Sequence, residues 1–260
     1  MVNSGTTAKE ARSGGVQSVE RAFDLLELIT DAGGRITLSE LAGKVELPMP
    51  TIHRLLRTLV GRGYVRQLPD RSYALGPRLI RLGDVANSQL GRAAAPQLQR
   101  LSDQLGESAN MAVLDGVMVT YIAQAQSQHS MRMFTEVGRR AHTHATGVGK
   151  AMLATLDNSR VEEIVNAAGM PAPARKSITS LAELFADLEL IRERGYAIDD
   201  EEQEAGVRCY SMAVPDAPIP TAVSVSGPST RVDEAFGRRA VPLLREAADQ
   251  IALSLAVPRS

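Results

Sequence analysis

Five side chains on one short segment, Thr51, His53, Arg54, Arg57 and Thr58, place hydroxyl, imidazole and guanidinium groups at helical spacing. Arginine offers two parallel donors to a purine edge or a phosphate, and threonine and histidine add shorter hydrogen-bonding arms. A face of this kind suits a nucleic-acid duplex, with Arg54 the first choice for a base contact. Its surroundings are locally basic: from His53 to Arg81 seven arginines stand against one acid, Asp70. Two of them, Arg66 and Arg71, fall in a hairpin pattern that would lay cations beside phosphates. An ordinary solvated face is the plain alternative.

A second constellation lies further along. Thr146-Gly147-Val148-Gly149-Lys150 runs from a glycine turn straight into a helical pattern, and amides at a helix start favour an anion. A nucleotide-binding P-loop is excluded, because it needs Gly where His144 stands and Ser or Thr where Ala151 stands. A glycine turn required only for packing fits equally well. Ser224 and Ser226 alternate, so both hydroxyls face one side of a strand, with Asp199, Asp200 and Cys209 near other strand ends. Together they could line a pocket for a small carboxylate. The amides and serines would hold the anion, Asp199 a hydroxyl or hydrate, and Cys209 would pack softly. Cys209 with His142 or His144 could instead form a nucleophile and base, and the two histidines could begin a metal site. No activating neighbour or third ligand is readable, so no catalytic role, metal or cofactor is expected.

Composition sets the frame for these groups. The 260 residues suit a small domain plus a larger one, and 44% hydrophobic with 23% charged residues excludes a disordered or fibrous chain. One cysteine excludes an internal disulfide framework and a multi-cysteine zinc site, and it suits a reducing interior. No apolar run approaches a membrane span, so a cytoplasmic protein with no membrane partner is expected. The net charge of −1 divides unevenly, with 12 basic against 9 acidic residues over 1–91 and 17 against 21 beyond. Residues 1–15 read as a disordered tail.

The elements that must position the first constellation follow from periodicity. Val19, Ala22, Phe23, Leu26 and Ile29 predict a first helix ending at Gly33-Gly34, and Thr37 with Glu40 predicts a capping box opening a second. Leu47-Pro48-Met49 forms a turn, with Pro50 at the first position of a third helix. That helix buries Ile52, Leu55, Leu56 and Leu59 and turns Arg54 and Arg57 outward, which is the geometry of a helix-turn-helix reader. Strands on either side of Leu68-Pro69-Asp70-Arg71 form a wing. A linker helix from Pro77, with Leu79, Ile80, Leu82 and Val85 for packing, helps dimerise, so that two recognition helices meet a palindromic operator.

Beyond about Gly91 helical and strand patterns alternate, which predicts an α+β or α/β unit. A helix is expected over 94–105, and strands over 110–114 and 117–123 turn at Asp115-Gly116. Further strands are expected over 131–137, 207–214 and 221–226. A capped helix runs from Ser180 to Gly195, and a final amphipathic helix spans 232–256. The expected domains are thus a winged helix-turn-helix over 16–76, a linker helix over 77–91 and a ligand-binding domain over 92–260. A sensor that never touches DNA is the other binding-protein reading, disfavoured by the helix-turn-helix.

The order and content of several motifs resemble the IclR family of transcription regulators. They are Val16-Gln-Ser-Val-Glu-Arg-Ala, Leu47-Pro-Met-Pro-Thr-Ile-His-Arg-Leu-Leu, Tyr73-Ala-Leu-Gly, Thr146-Gly-Val-Gly-Lys-Ala, Gly195-Tyr-Ala-Ile-Asp-Asp-Glu-Glu, Gly206-Val-Arg-Cys and Ser224-Val-Ser-Gly-Pro. The resemblance implies a GAF-like effector domain after the winged helix, a dimer or dimer of dimers, and operator binding under effector control, most often repression. It implies effector contacts at Gly147, Val148, Asp199, Cys209, Ser224 and Ser226. Ser130-Met-Arg-Met133 is similar to the allantoin-utilisation and glyoxylate-responsive branch, which implies that Met133 covers a glyoxylate- or allantoate-like ligand.

Overall fold

The computed structural model of the chain describes residues 15–91, 94–130 and 136–256. The chain divides into two compact units, Met1–Ala86 and Asn87–Ser260, and the division falls inside the helix over Arg78–Leu90. The tail expected over 1–15 lies, except for Gly15, outside the described residues.

The first unit comprises α1 (Gln17–Asp31), β1 (Arg35–Ile36), α2 (Leu38–Lys44), α3 (Met49–Gly61), β2 (Val65–Gln67), β3 (Tyr73–Leu75) and the start of α4 (Arg78–Leu90). The Thr37 hydroxyl accepts the Glu40 amide at 3.3 Å, and the Glu40 carboxylate accepts the Thr37 amide at 2.8 Å, completing the expected capping box. Pro48 caps α3, so Pro50 occupies the second helical position, still within the turn whose amides lack intrahelical acceptors. Leu25, Ile29, Leu41, Ile52, Leu56 and Val65 form the core.

Two apolar surfaces of this unit stay outside its core. Helix α1 carries two apolar stripes, and the one turned inward contains Leu25 and Ile29, while Val19 and Phe23 are 49% and 62% exposed. Of the α4 residues expected to pack, Leu79 is half-buried, whereas Ile80, Leu82 and Val85 are exposed. Val19, Phe23, Leu55, Tyr64, Leu79 and Leu82 line an open apolar concavity of about 670 Å³. The small sheet has the order β1-β3-β2, all antiparallel. Strand β1 was not anticipated, since two residues carry no periodicity.

The second unit comprises α5 (Ala95–Leu105), β4 (Ser108–Asp115), β5 (Met118–Ala125), β6 (Arg140–His142), α6 (Gly147–Leu153), α7 (Asn158–Ala168), α8 (Leu181–Arg194), β7 (Ala197–Asp200), β8 (Val207–Ala213), β9 (Thr221–Pro228) and α9 (Glu234–Ala256). Its strands form one antiparallel sheet in the order β6-β5-β4-β9-β8-β7. Helices α5 and α9 cover one face over Leu98, Met111, Tyr210, Val225 and Phe236. Helices α6 and α8 cover the other with Met152, Leu184 and Leu188 over Ala112 and Ala222. Thus the whole is the mixed helix-and-sheet fold expected.

A register shift between Met111 and Ala112 decides which β5 side chains reach the α6 face. At this bulge Ile122 and Ala123 both enter the core under α5 and α9, so Tyr121 and Gln124 share the opposite face. Helix α7 and strand β6 were not anticipated. Helix α9 begins after Asp233, whose carboxylate accepts the Phe236 amide at 2.7 Å, rather than at Val232. The strand expected over 131–137 lies mostly outside the described residues, and Glu136 and Val137 lead into a turn at Gly138, where φ is +91°.

Candidate functional site

Helix α3 exposes His53, Arg54, Arg57 and Thr58, with Thr51 half-buried. The reason is its amphipathic spacing: once Ile52, Leu56 and Leu59 enter the core, positions 53, 54, 57 and 58 must face away. His53, Arg54 and Arg57 border a shallow hollow with Leu38, Met49 and Pro50, between α2 and the start of α3. Thr58 turns the other way, toward the apolar concavity, and donates its hydroxyl to the Arg54 carbonyl at 3.0 Å.

The wing brings Arg66 and Arg71 to the surface, Arg71 at the hairpin tip with φ at +68°. Asp70, the lone acid of the basic stretch, is used internally. It accepts the Ser72 hydroxyl at 2.7 Å and pairs with Arg35 from β1, and these bonds, the Ser72 hydroxyl first, hold its carboxyl below the usual carboxylate range. Among the described residues Arg54, Arg57, Arg66 and Arg71 form no ion pair, so their guanidinium groups remain available to phosphate.

In the second unit the α6 face of the sheet carries polar side chains in two adjacent rows. Asp199, Cys209, Ser226 and Ser108 are register partners across β7, β8, β9 and β4. Ser211, Ser224, Asn110 and Gln124 form the next row. Alternation along the strands explains the arrangement, since residues two apart share a face. The first turn of α6 presses onto β8: a Cβ on Gly147 would lie 2.5 Å from Ser211 Oγ and 3.2 Å from Cys209 Sγ. Glycine is therefore required there for close packing, and that packing sets the Gly147 and Val148 backbone against the polar rows. The Val148 side chain itself is buried in the core, which leaves its amide as the group that could meet a ligand. Thr146 caps α6, accepting the Gly149 amide at 3.1 Å.

The electrostatics follow from burial. Asp199 Oδ1 accepts the amides of Glu202 at 2.8 Å and Gln203 at 3.3 Å, yet burial pushes its carboxyl up to about 7. Burial, and then the Asp199 charge, push the Cys209 thiol up to about 12, and Ser211 Oγ lies 3.1 Å from its sulfur. A thiol of that kind stays protonated at neutral pH and packs as a small apolar group rather than acting as a nucleophile. The Tyr121 hydroxyl is likewise raised, first by burial and then by Cys209 and Asp199. His144 Nε2 donates to the Pro171 carbonyl at 2.9 Å, and its ring lies edge-on to His142. Among the described residues no three His, Cys, Asp or Glu side chains are grouped to hold a metal.

Asp199, Cys209, Ser224, Ser226 and the Gly147-Val148 turn are thus adjacent, and Met133 lies outside the described residues. Sequence reasoning missed Ser211, Asn110, Gln124 and Tyr121. Ser211 was within reach, two residues after Cys209 on the same strand, but the other three depend on the β4–β5 register. It also passed over Lys150, which is 1% exposed and donates to Asp187 at 2.7 Å and to Glu202 at 2.6 Å.

A basic winged helix-turn-helix unit followed by a sheet with a buried polar site beneath a helix defines the class of ligand-responsive transcription regulators. The chain belongs to the IclR family. Residues 18–69 match the family's helix-turn-helix domain, and residues 84–253 match the domain described as bacterial transcriptional regulator IclR C-terminal. The chain is 34% identical over 249 residues to the HTH-type transcriptional regulator BhcR of Paracoccus denitrificans, covering 94% of this chain and 89% of that one. It is 36% identical over 230 residues to the transcriptional repressor IclR of Escherichia coli, covering 85% and 84% respectively. The crystal structure of an IclR transcriptional regulator from Alicyclobacillus acidocaldarius superposes with a TM-score of 0.83 at 27% identity, covering 93% of this chain and 100% of that one. The protein is accordingly a DNA-binding transcriptional regulator with an effector-binding C-terminal domain, in a family made up of regulators rather than enzymes.

Proposed function

We propose that this regulator is a repressor that holds a palindromic operator as a homodimer or tetramer and lets go when a small carboxylate binds its C-terminal domain. Residues 16–76 bind DNA, 77–91 link, and 92–260 bind the effector. In this reading Arg54 and Arg57, with Thr51, His53 and Thr58, meet base edges and nearby phosphates in the major groove, and Arg66 and Arg71 meet the backbone beside it. The exposed apolar side chains of α1 and α4 support association of two copies. A regulator of operator DNA works in the compartment that holds the DNA, which is the cytoplasm. Among the described residues no helix is long and apolar enough to cross a membrane.

The observation that carries the effector reading is the register of Asp199, Cys209 and Ser226 beneath the Gly147-Val148 turn. Backbone amides and the Ser224 and Ser226 hydroxyls would take the carboxylate, Asp199 a hydroxyl or hydrate, and Met133 would close over a ligand of glyoxylate or allantoate size. The test is a fluorescence-anisotropy titration on the DNA upstream of the protein's own gene, at stated salt, with and without glyoxylate, allantoate and related carboxylates. Sequence-selective binding weakened by one of them is the expected result. Binding that ignores every carboxylate would remove the effector class, and no selective binding would remove the operator reading.

A further inference from the structure

The polar face does not end at Ser226. Asn110, wholly buried on β4, donates from Nδ2 to Ser226 Oγ at 3.1 Å, and its Oδ1 accepts from Gln124 Nε2 on β5 at 3.0 Å. Gln124 is the register partner of Asn110 across β4 and β5, and directly paired residues share one face of a sheet. A primary amide donates from its nitrogen and accepts at its oxygen, so an Asn110 that accepts from Gln124 presents a donor to Ser226. One lone pair of Ser226 Oγ is then occupied. Among the described residues Ser226 makes no second side-chain hydrogen bond, so its single proton is left for another acceptor. Ser226 is 5% exposed and stands in the row with Asp199 and Cys209, so that acceptor has to come from within the buried site.

We propose that Asn110, oriented by Gln124, is a positioning residue that fixes the Ser226 hydroxyl as a donor into the effector site. The effector group recognised there is then an acceptor, such as a carboxylate oxygen; an ammonium, which only donates, is refused, and a neutral amide, which accepts through a single uncharged oxygen, is bound less well than a carboxylate. Refusal comes from pairing a donor with a donor in a buried place, where an unmet hydrogen bond is costly. This inference rests on the effector-site reading above. It adds two residues on strands β4 and β5 that set specificity without touching the ligand.

The decisive variant is Gln124→Glu. An ionised Glu at 124 only accepts, so Asn110 must turn its nitrogen toward it and its oxygen toward Ser226, which then donates inward and offers lone pairs to the site. Calorimetric titration of the full chain with glyoxylate, pyruvate and allantoate finds the carboxylate that wild type binds best. For it we expect Gln124→Glu to weaken binding about 10- to 100-fold, the range of a hydrogen bond to a charged group. In a Ser226→Ala background the same change should cost less than about threefold, because coupling through Ser226 is gone. The preference for that carboxylate over its neutral amide should also fall at least about tenfold in Gln124→Glu alone, a readout that survives if the double variant binds too weakly to measure. If Gln124→Glu does not fold, Asn110→Asp imposes the same reversal one step nearer. Equal losses with and without Ser226, or an unchanged carboxylate preference, overturn the relay and leave the effector site standing. Failure of wild type to bind any of the three carboxylates overturns the site reading, and the relay with it.

Discussion

Lys150 Nζ donates to Glu202 Oε1 at 2.6 Å although the lysine is 1% exposed, tying α6 to the loop that follows β7. The Glu202 backbone in turn donates its amide to Asp199 Oδ1 at 2.8 Å, so one buried charge links the helix that borders the site to an acid within it. Asp187 on α8 receives the same ammonium at 2.7 Å.

Removing that charge leaves the buried Glu202 carboxylate without a cation and Asp187 with only Arg194, 3.9 Å away. We expect Lys150→Met to destabilise the C-terminal unit by about 3 to 5 kcal/mol, the usual result of deleting one member of a buried ion pair. Adding Glu202→Gln should recover part of the loss. Urea unfolding of both variants checks this, and a loss under about 1 kcal/mol, the worth of a surface pair, would show the lysine to be dispensable.

Asp199 makes stability depend on pH. Burial raises its carboxyl from 3.8 to about 7 in the folded chain, so folded molecules keep a proton that unfolded molecules release. Its contribution to stability is therefore fully present below the unfolded value and is lost as pH climbs to about 7, above which it levels off. The Asp199→Asn variant lacks this slope. Between pH 5 and 7 it should gain about 2 kcal/mol relative to wild type. Parallel stability curves for the two proteins across that range would place the raised carboxyl elsewhere.

The two arginine classes should separate in DNA binding. Arg54→Ala is expected to cost about 1 to 3 kcal/mol on the operator and little on unrelated DNA. Arg71→Ala should weaken both alike and reduce the slope of log affinity against log salt by about 1. Anisotropy titrations at several salt concentrations on specific and random duplexes resolve the two effects, and an Arg54→Ala variant that keeps full operator preference would remove α3 as the reader.

Leu82 is 53% exposed on α4, yet it lines the apolar concavity with Phe23 and Val19. If a second copy covers this surface, Leu82→Glu buries a charge at the contact and should shift the protein toward monomer by a factor of about 100 or more in dissociation constant. Light scattering across a dilution series measures the shift. An unchanged mass at every concentration would assign oligomerisation to another surface.

The local features were legible in the sequence and the long-range ones were not. The Thr37–Glu40 box, the amphipathic α3 and the Gly116 hairpin each depend on residues within one turn or one strand pair, so composition and spacing reveal them. Helix α1 formed as its spacing predicts, but it carries two apolar stripes, and nothing local says which one meets the core. The Arg35–Asp70 tie joins residues far apart in the chain, so spacing within the basic stretch does not reveal it. In the candidate site, Ser224 and Ser226 follow from alternation alone. Asn110, Tyr121 and Gln124 required the strand order and a bulge that breaks alternation between Tyr121 and Gln124.

The most direct test compares wild type and Ser226→Ala on the same upstream DNA while the carboxylate that releases wild type is titrated in. We expect equal affinity for DNA without ligand, and a release curve for Ser226→Ala displaced to at least about tenfold higher carboxylate, since one charge-assisted hydrogen bond is lost. Superimposable release curves would contradict carboxylate control through the β9 face.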